Sequence, residues 1–412
     1  DQPAPVDQII SNLFEEVDDR ALVYILWGRF YGPRSEKRGL AIFDEAINED
    51  PSDTRVYEAK AALLARYGRS EEAADTMAKA LEILKSDPEH NEAAALRFMK
   101  TIVWYRIDGG QLDVADQLIS ELQAEHPEDS EATTFVGIIA ARRGDHDRAL
   151  EVFDRVIDTD PRYVAARVER AKLYIVSGEL SRAKDDLRVA NEEGGATNQI
   201  AMQLGGVYER MHDRVSAQIT YEKILDRDPS YEPAIRRLME IYFQLESWTL
   251  LEGLLDDVHR RFPNEPLYYE IEADMWRRRG NTDKSLAALG AGAKAAPKDR
   301  GAVWNYLVAL VSARHYGEAL GVADQYIDHE DFGPEDFGPW AKAIKAHVYV
   351  RQGKTAEAEV LFAEAVAEAT RDSLDDVSWQ MADAYGPAQA VGKLTDMFDL
   401  RPDDWQIRAL VG

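Results

Sequence analysis

Hydrophobic and polar positions repeat every 34 residues through the middle of the chain. Each period ends at an anchor residue, which is a proline in all periods but one: Pro127, Pro161, Gly195, Pro229, Pro263 and Pro297. A fixed period of this length is typical of stacked supersecondary units and not of two or three unrelated domains. The 412 residues are therefore interpreted as one repeat array.

Small and large apolar residues hold fixed places within each period. In the five periods after Pro127, the residue 24 positions before the anchor is small in all but the one with Met239, and a large residue stands eight before the anchor, as Gly137 and Phe153 do before Pro161. Because apolar residues three or four positions apart share one helix face, we expect two helices of about a dozen residues per period. The turn between them is predicted 17 positions before the anchor, at Gly144, Gly178, His212, Glu246 and Gly280. Glycine suits a helix end because it takes the left-handed conformation without a side-chain clash.

Residues 136–161, VGIIAARRGDHDRALEVFDRVIDTDP, show this pattern most completely. The segment resembles the tetratricopeptide repeat, a family with this period and with Gly/Ala, Tyr, Ala, Phe and Pro at these offsets. The resemblance implies an all-α fold, a right-handed superhelical solenoid of about eleven antiparallel helix hairpins whose first helices line the concave side. We expect a capping helix at 1–17, a continuous array at 18–402 that is strict at about 128–297, and a tail or the start of a further helix at 403–412.

Composition narrows the classes of partner and chemistry. The chain has 76 acidic and 49 basic residues, a net charge of −27, which disfavours binding to nucleic acid. It has no cysteine, which excludes a disulfide, a thiolate metal site and a cysteine nucleophile. Its most apolar stretch, residues 21–30, is about half the length that crosses a bilayer, so no membrane-spanning segment is expected.

Candidate catalytic and metal-binding motifs are weak. The eight histidines stand singly, without the spacing that places two imidazoles on one helix face for zinc. GAGAK at 290–294 lacks the partners of a phosphate-binding loop and is interpreted as small residues for close helix contact. The two DFG triplets of 330–339 lack the other kinase motifs and are interpreted as a loop between repeats. Adjacent acidic residues such as Asp185 and Asp186 are predicted on solvated helix faces. We expect no catalytic residue, no cofactor and no bound metal.

The family resemblance also implies which side chains face the groove, namely those 27, 23 and 20 positions before the anchor. These candidate groove residues are Thr134, Ile138, Val168, Lys172, Ile175 and Met202 in the earlier periods, and Arg236, Glu240, Phe243, Glu270, Asp274 and Arg277 in the later ones. The series changes from apolar to charged along the chain, and an apolar strip with a methionine suits an extended or helical peptide. A tight superhelix that covers these residues is the alternative, and both stay open here. The lysine and asparagine with which chaperone-tail-binding members hold a terminal carboxylate are absent from the corresponding places.

Two functional hypotheses follow from the sequence. The first is a non-enzymatic scaffold that binds a protein or peptide partner in the concave groove and helps to assemble or recruit a complex. The second is the repeat region of a larger cell-envelope or secretion protein whose active or membrane part lies outside these residues, because the chain begins at Asp1 and ends in an apolar run. The identity of the partner, association with a second copy, and a cytoplasmic or periplasmic location reached after removal of a signal all stay open.

Overall fold

The computed structural model describes residues 4–86, 91–193, 197–327 and 337–397. Within these ranges the chain forms 23 α-helices and no β-strand, which confirms the all-α fold class. Its contacts divide the chain into two compact units, Asp1–Ile224 and Leu225–Gly412. The anchor Gly195, most of the segment 330–339 and the expected tail at 403–412 lie outside the described residues.

The first unit is a series of helix hairpins preceded by a single helix. Its helices are α1 (Ala4–Glu16), α2 (Arg20–Tyr31), α3 (Glu36–Glu49), α4 (Thr54–Arg66), α5 (Ser70–Ser86), α6 (Glu92–Asp108), α7 (Leu112–Glu125), α8 (Ser130–Arg142), α9 (His146–Thr159), α10 (Val164–Ser177), α11 (Leu180–Glu193), α12 (Asn198–Arg210) and α13 (Arg214–Arg227), which continues past the end of the unit. Consecutive helices pack together, and even-numbered neighbours such as α6, α8 and α10 also touch. The even-numbered helices are therefore the first helices of the hairpins and form one layer.

The second unit has the same arrangement. Its helices are α14 (Glu232–Gln244), α15 (Trp248–Arg261), α16 (Pro266–Arg278), α17 (Thr282–Ala295), α18 (Arg300–Ser312), α19 (Tyr316–Ile327), α20 (Gly338–Arg351), α21 (Thr355–Glu368), α22 (Arg371–Tyr385) and α23 (Pro387–Asp396). The pairs α16 with α17 and α20 with α21 form closely packed hairpins, and α20 touches both α18 and α22. Even-numbered helices again form a layer of first helices.

The turns inside the hairpins lie where the period predicts them. Gly144, Gly178 and Gly280 have φ angles of 83°, 82° and 73°. His212 and Glu246, at the equivalent places, also have positive φ angles of 61° and 53°. Glycine is therefore the favoured residue at this turn but is not required, because the backbone adopts the left-handed conformation in all five periods.

Small residues of one helix let large residues of its neighbour approach closely. A Cβ atom added to Gly137 of α8 would lie 2.5 Å from Cε1 of Phe153 on α9. A Cβ atom added to Gly290 of α17 would lie 2.9 Å from Cζ of Tyr306 on α18. Both distances are shorter than real Cβ contacts, so only glycine fits without a shift of the aromatic ring. The interpretation of GAGAK as a close helix contact is confirmed.

The sequence predicted that both acidic residues of the pair on α11 lie on a solvated face, but only one of them does. Asp185 is exposed, with 65% of its side chain accessible, but Asp186 is buried. Asp186 accepts hydrogen bonds from Nη1 of Arg167 at 2.7 Å and from Nε and Nη2 of Arg170 at 2.8 and 2.7 Å, both on α10. The prediction was wrong for Asp186 because two arginines of the preceding helix bind its carboxylate in place of water.

Candidate functional site

A cavity of about 680 Å3 lies between the even-numbered helices α6, α8 and α10, and we call it the first-unit cavity. Leu96, Trp104, Tyr105, Phe135 and Ile138 supply its apolar and aromatic wall. Trp104 keeps 39% of its surface exposed, whereas Ile138 keeps 7%. The cavity therefore combines a buried aliphatic floor with one large indole that faces solvent.

The two cations that line the first-unit cavity are held in ion pairs. Nζ of Lys100 lies 2.6 Å from Asp129 and 3.1 Å from Glu131, and Nη1 of Arg97 lies 2.6 Å from Glu58. Burial acts to lower the pKa of Lys100, but the hydrogen bonds to Asp129 and Glu131 raise it above the ordinary lysine value. Lys100 therefore stays charged and paired, and the apolar wall is what the cavity offers to a ligand.

The six earlier candidate groove residues have different surroundings. Thr134 and Ile138 line the first-unit cavity, although both are buried and the hydroxyl of Thr134 donates to the carbonyl of Ser130 at 2.6 Å. Val168 and Ile175 pack against the core around α10 to α12. Lys172 is exposed and pairs with Glu169 at 2.5 Å, while Met202 is half-buried on α12. The apolar strip is therefore partly covered by the packing of the helices.

Trp104 is the residue that the sequence analysis missed. The same offsets, counted back from Pro127, give Lys100 at 27 positions and Trp104 at 23 positions before the anchor. Both residues line the first-unit cavity on the long helix α6. Extending the 34-residue period by one repeat toward the N-terminus would have identified both residues. The irregular spacing of the repeats before Pro127 argued against this extension.

A second cavity, of about 830 Å3, lies between α16, α17 and α18 and is called the second-unit cavity. Three candidate groove residues, Glu270, Asp274 and Arg277, line it. Asp274 and Arg277 form an ion pair at 2.7 Å, and Nδ2 of Asn305 donates to Glu270 at 2.7 Å. The offsets therefore bring these three charged side chains to one cavity.

The remaining candidates on α14 line neither cavity. Arg236 lies 3.3 Å from Glu232, and Glu240 lies 2.7 Å from Arg237, so each forms an ion pair along its own helix. Phe243 packs edge to face on Trp248, with ring centroids 5.7 Å apart. These residues are engaged in local contacts.

A buried polar network surrounds His347 on α20. The side chains of His347 and Gln380 are each 1% exposed, and Nδ1 of His347 lies 2.8 Å from Oε1 of Gln380. Nε of Arg351 donates to Nε2 of His347 at 3.1 Å, and Asp383 lies 3.6 Å from the same nitrogen. Burial lowers the pKa of His347, although Gln380 and Asp383 act in the opposite direction. The imidazole is therefore neutral at pH 7 and links α20 to α22.

We expect the free energy of unfolding to fall as the pH drops from about 7.5 to 5.5. The unfolded imidazole, with a pKa of about 6.5, binds a proton more readily than His347 does in the fold. The stability due to neutral His347 is thus complete above the unfolded pKa and is lost below it, by at most about 1.4 kcal/mol per pH unit. Urea unfolding across this pH range measures the slope. The variant His347→Gln should have a flatter slope, and an unchanged slope would exclude His347 as the cause.

Family comparisons identify the repeats. Residues 101–164, 140–202 and 339–364 match family models described as tetratricopeptide repeats. The part of the chain that the structure describes contains no helix long and apolar enough to cross a membrane. In that same part, no three His, Cys, Asp or Glu side chains are grouped as a metal ion would require.

Solved structures of repeat proteins also match the chain. The C-terminal part of a repeat-containing protein from Cytophaga hutchinsonii is 14% identical over 59% of this chain and 96% of that one, with a TM-score of 0.43. A tetratricopeptide repeat protein from Parabacteroides merdae is 14% identical over 69% and 98%, with a TM-score of 0.36. Yeast Tom70 is 16% identical over 96% and 94%, with a TM-score of 0.35.

The family models cover residues 101–202, which include the first part of the strict lattice, and residues 339–364 in one hairpin of the second unit. The hairpins, the left-handed turns and the small-to-large contacts are the physical form of the same repeat. Residues 101–202 and 339–364 of this chain therefore carry tetratricopeptide repeats.

Proposed function

We propose that this protein is a non-enzymatic scaffold that binds a segment of a partner protein on its layer of even-numbered helices. Tetratricopeptide repeats are protein-interaction modules, which gives the general class. Within that class, the first-unit cavity is the observation that supports a groove-bound segment. Bound there, the segment would bring its own protein to the scaffold and so help to assemble or recruit a complex.

The chemistry of the first-unit cavity suits an apolar side chain of the partner. Its volume of about 680 Å3 is in the range of ligand-binding clefts, and its wall is apolar and aromatic. Large aromatic residues at the centre of an interface commonly carry most of the binding energy, and Trp104 is the exposed one here. A leucine, methionine or phenylalanine of the partner would bury against Trp104 and Leu96 without disturbing the internal ion pairs.

The titratable groups of this cavity also support a binding role over catalysis. A lysine that acts as a base or nucleophile needs a pKa lowered toward neutrality. The pKa of Lys100 is raised instead, because Asp129 and Glu131 bind its ammonium group. The lysine therefore positions α6 against α8 in this proposal and takes no part in chemistry.

The variant Trp104→Ala is expected to weaken binding of a groove ligand about tenfold, since it removes the largest exposed apolar surface of the cavity. The ligand is a peptide selected from a random phage-displayed library on the purified protein. Fluorescence anisotropy with the labelled peptide gives the dissociation constant for each variant.

The matched control is Val114→Ala on α7, the second helix of the same hairpin, because Val114 has a similar exposure of 42%. The dissociation constant of this control for the peptide should stay within about twofold of the value for the parent protein. Equal dissociation constants for the Trp104→Ala variant and the parent protein would exclude the first-unit cavity as the binding site.

A further inference from the structure

We propose that the second-unit cavity binds the side chain of a lysine carried by the partner segment. This inference rests on the proposed scaffold function and adds a chemical specificity to it. The first-unit cavity offers an apolar wall, whereas the second-unit cavity combines carboxylates with apolar lining residues. A partner segment bound at the second-unit cavity would therefore carry a basic side chain.

The charge of the second-unit cavity favours a cation. Three carboxylates line it, from Glu270, Asp274 and Asp283, and its lining holds one arginine, Arg277. Arg277 is paired with Asp274 at 2.7 Å. Among the described residues, neither Glu270 nor Asp283 forms an ion pair, and the one side chain bound to Glu270 is the neutral amide of Asn305. Two carboxylates at this cavity are thus left without a counter-charge.

An unpaired hydroxyl on a largely buried residue gives independent support for a hydrogen-bonding ligand. Ser285 of α17 lines the cavity with 8% of its surface exposed. Within the described parts of the chain, its hydroxyl has no hydrogen-bond partner. The equivalent place in three earlier periods is alanine, at Ala149, Ala183 and Ala217. The hydroxyl of Ser285 is not among the fully buried polar atoms that lack a partner, so it is accessible from the cavity and free to bind a polar ligand there.

The apolar lining of the cavity distinguishes a lysine from a small hydrated cation. Leu286, Leu289 and Val308 line the cavity together with the carboxylates. A lysine buries its four-carbon stem on such a surface and keeps its ammonium group at the polar rim. The ammonium group has three N–H donors, enough for Glu270, Asp283 and the hydroxyl of Ser285 together. A metal ion would gain nothing from the apolar lining.

The test uses a fluorescein-labelled peptide of alternating alanine and lysine and the same peptide with acetylated lysines. The double variant Glu270→Gln/Asp283→Asn should bind the lysine peptide about tenfold more weakly, because it removes both unpaired carboxylates. The variant Ser285→Ala should bind it about threefold more weakly. Acetylation removes the charge and keeps the stem, so the parent protein should lose as much affinity for the acetylated peptide as the double variant loses for the lysine peptide.

The control Asp256→Asn/Glu357→Gln removes two exposed carboxylates from the odd-numbered helices α15 and α21 and changes the net charge equally. It should bind the lysine peptide within about twofold of the parent protein. An equal loss in the control, or an undiminished affinity for the acetylated peptide, would overturn the inference. Either result leaves the scaffold proposal intact if the selected peptide still depends on Trp104, so the two failures are distinguishable.

Discussion

Replacing Asp186 by asparagine is expected to lower the free energy of unfolding by about 3–5 kcal/mol. Asp186 is 3% exposed and binds the guanidinium groups of Arg167 and Arg170, whose side chains are 14% and 16% exposed. Burial acts against the charge of Arg170, yet its hydrogen bonds to Asp186 and Asp154 raise its pKa above the ordinary arginine value. Asparagine keeps the shape of Asp186 but leaves two largely buried cations without this carboxylate.

The adjacent residue supplies the control. Asp185 precedes Asp186 on α11, but 65% of its side chain is exposed, and its nearest cation is Lys184 at 3.4 Å. The variant Asp185→Asn should therefore change the free energy of unfolding by less than about 0.5 kcal/mol. Urea unfolding followed by circular dichroism measures both variants. Equal effects of the two substitutions would show that the buried ion pairs add no stability.

The period of the sequence predicted much of the local structure. It placed the turns at Gly144, Gly178 and Gly280, and it paired the small Gly137 with the large Phe153 across one hairpin. These features depend on residues close in the chain, where the helical repeat of 3.6 residues decides which side chains share a face. The local geometry of the hairpins could therefore be predicted from the sequence alone.

Features that depend on contacts between separate helices could not be predicted from the sequence. The burial of Asp186 requires two arginines of α10, and the ion pair between Arg300 and Asp376 joins residues of α18 and α22. A residue pattern predicts which face of one helix is apolar, but it does not predict the space left between three packed helices. The two cavities could therefore not be predicted. The offsets did bring Glu270, Asp274 and Arg277 to one of them.

Two neighbouring hairpins fill the same contact with different pairs of residues. This difference predicts a measurable coupling free energy between the two positions. Gly137 and Phe153 occupy the places that Ala171 and Leu187 occupy one period later. A Cβ atom on Gly137 would lie 2.5 Å from a ring carbon of Phe153, which is fully buried and cannot move aside easily. The variant Gly137→Ala should lose about 2 kcal/mol of stability, because overpacking outweighs the gain of about 1 kcal/mol in helix propensity.

The double variant Gly137→Ala/Phe153→Leu reproduces the pair of the next period. Phe153→Leu alone should cost about 1 kcal/mol or more, because it leaves a cavity beside Gly137. In the double variant the methyl group of alanine fills part of that space, and the gain in helix propensity offsets the contact that remains with the leucine, so we expect a stability close to that of Phe153→Leu alone. The coupling free energy from the four urea unfolding curves should be about 2 kcal/mol. If the effects of the two substitutions add within about 0.5 kcal/mol, contact with the ring of Phe153 is not the reason for glycine at position 137. The exchange of Gly/Phe for Ala/Leu between neighbouring hairpins would then have no cause in packing.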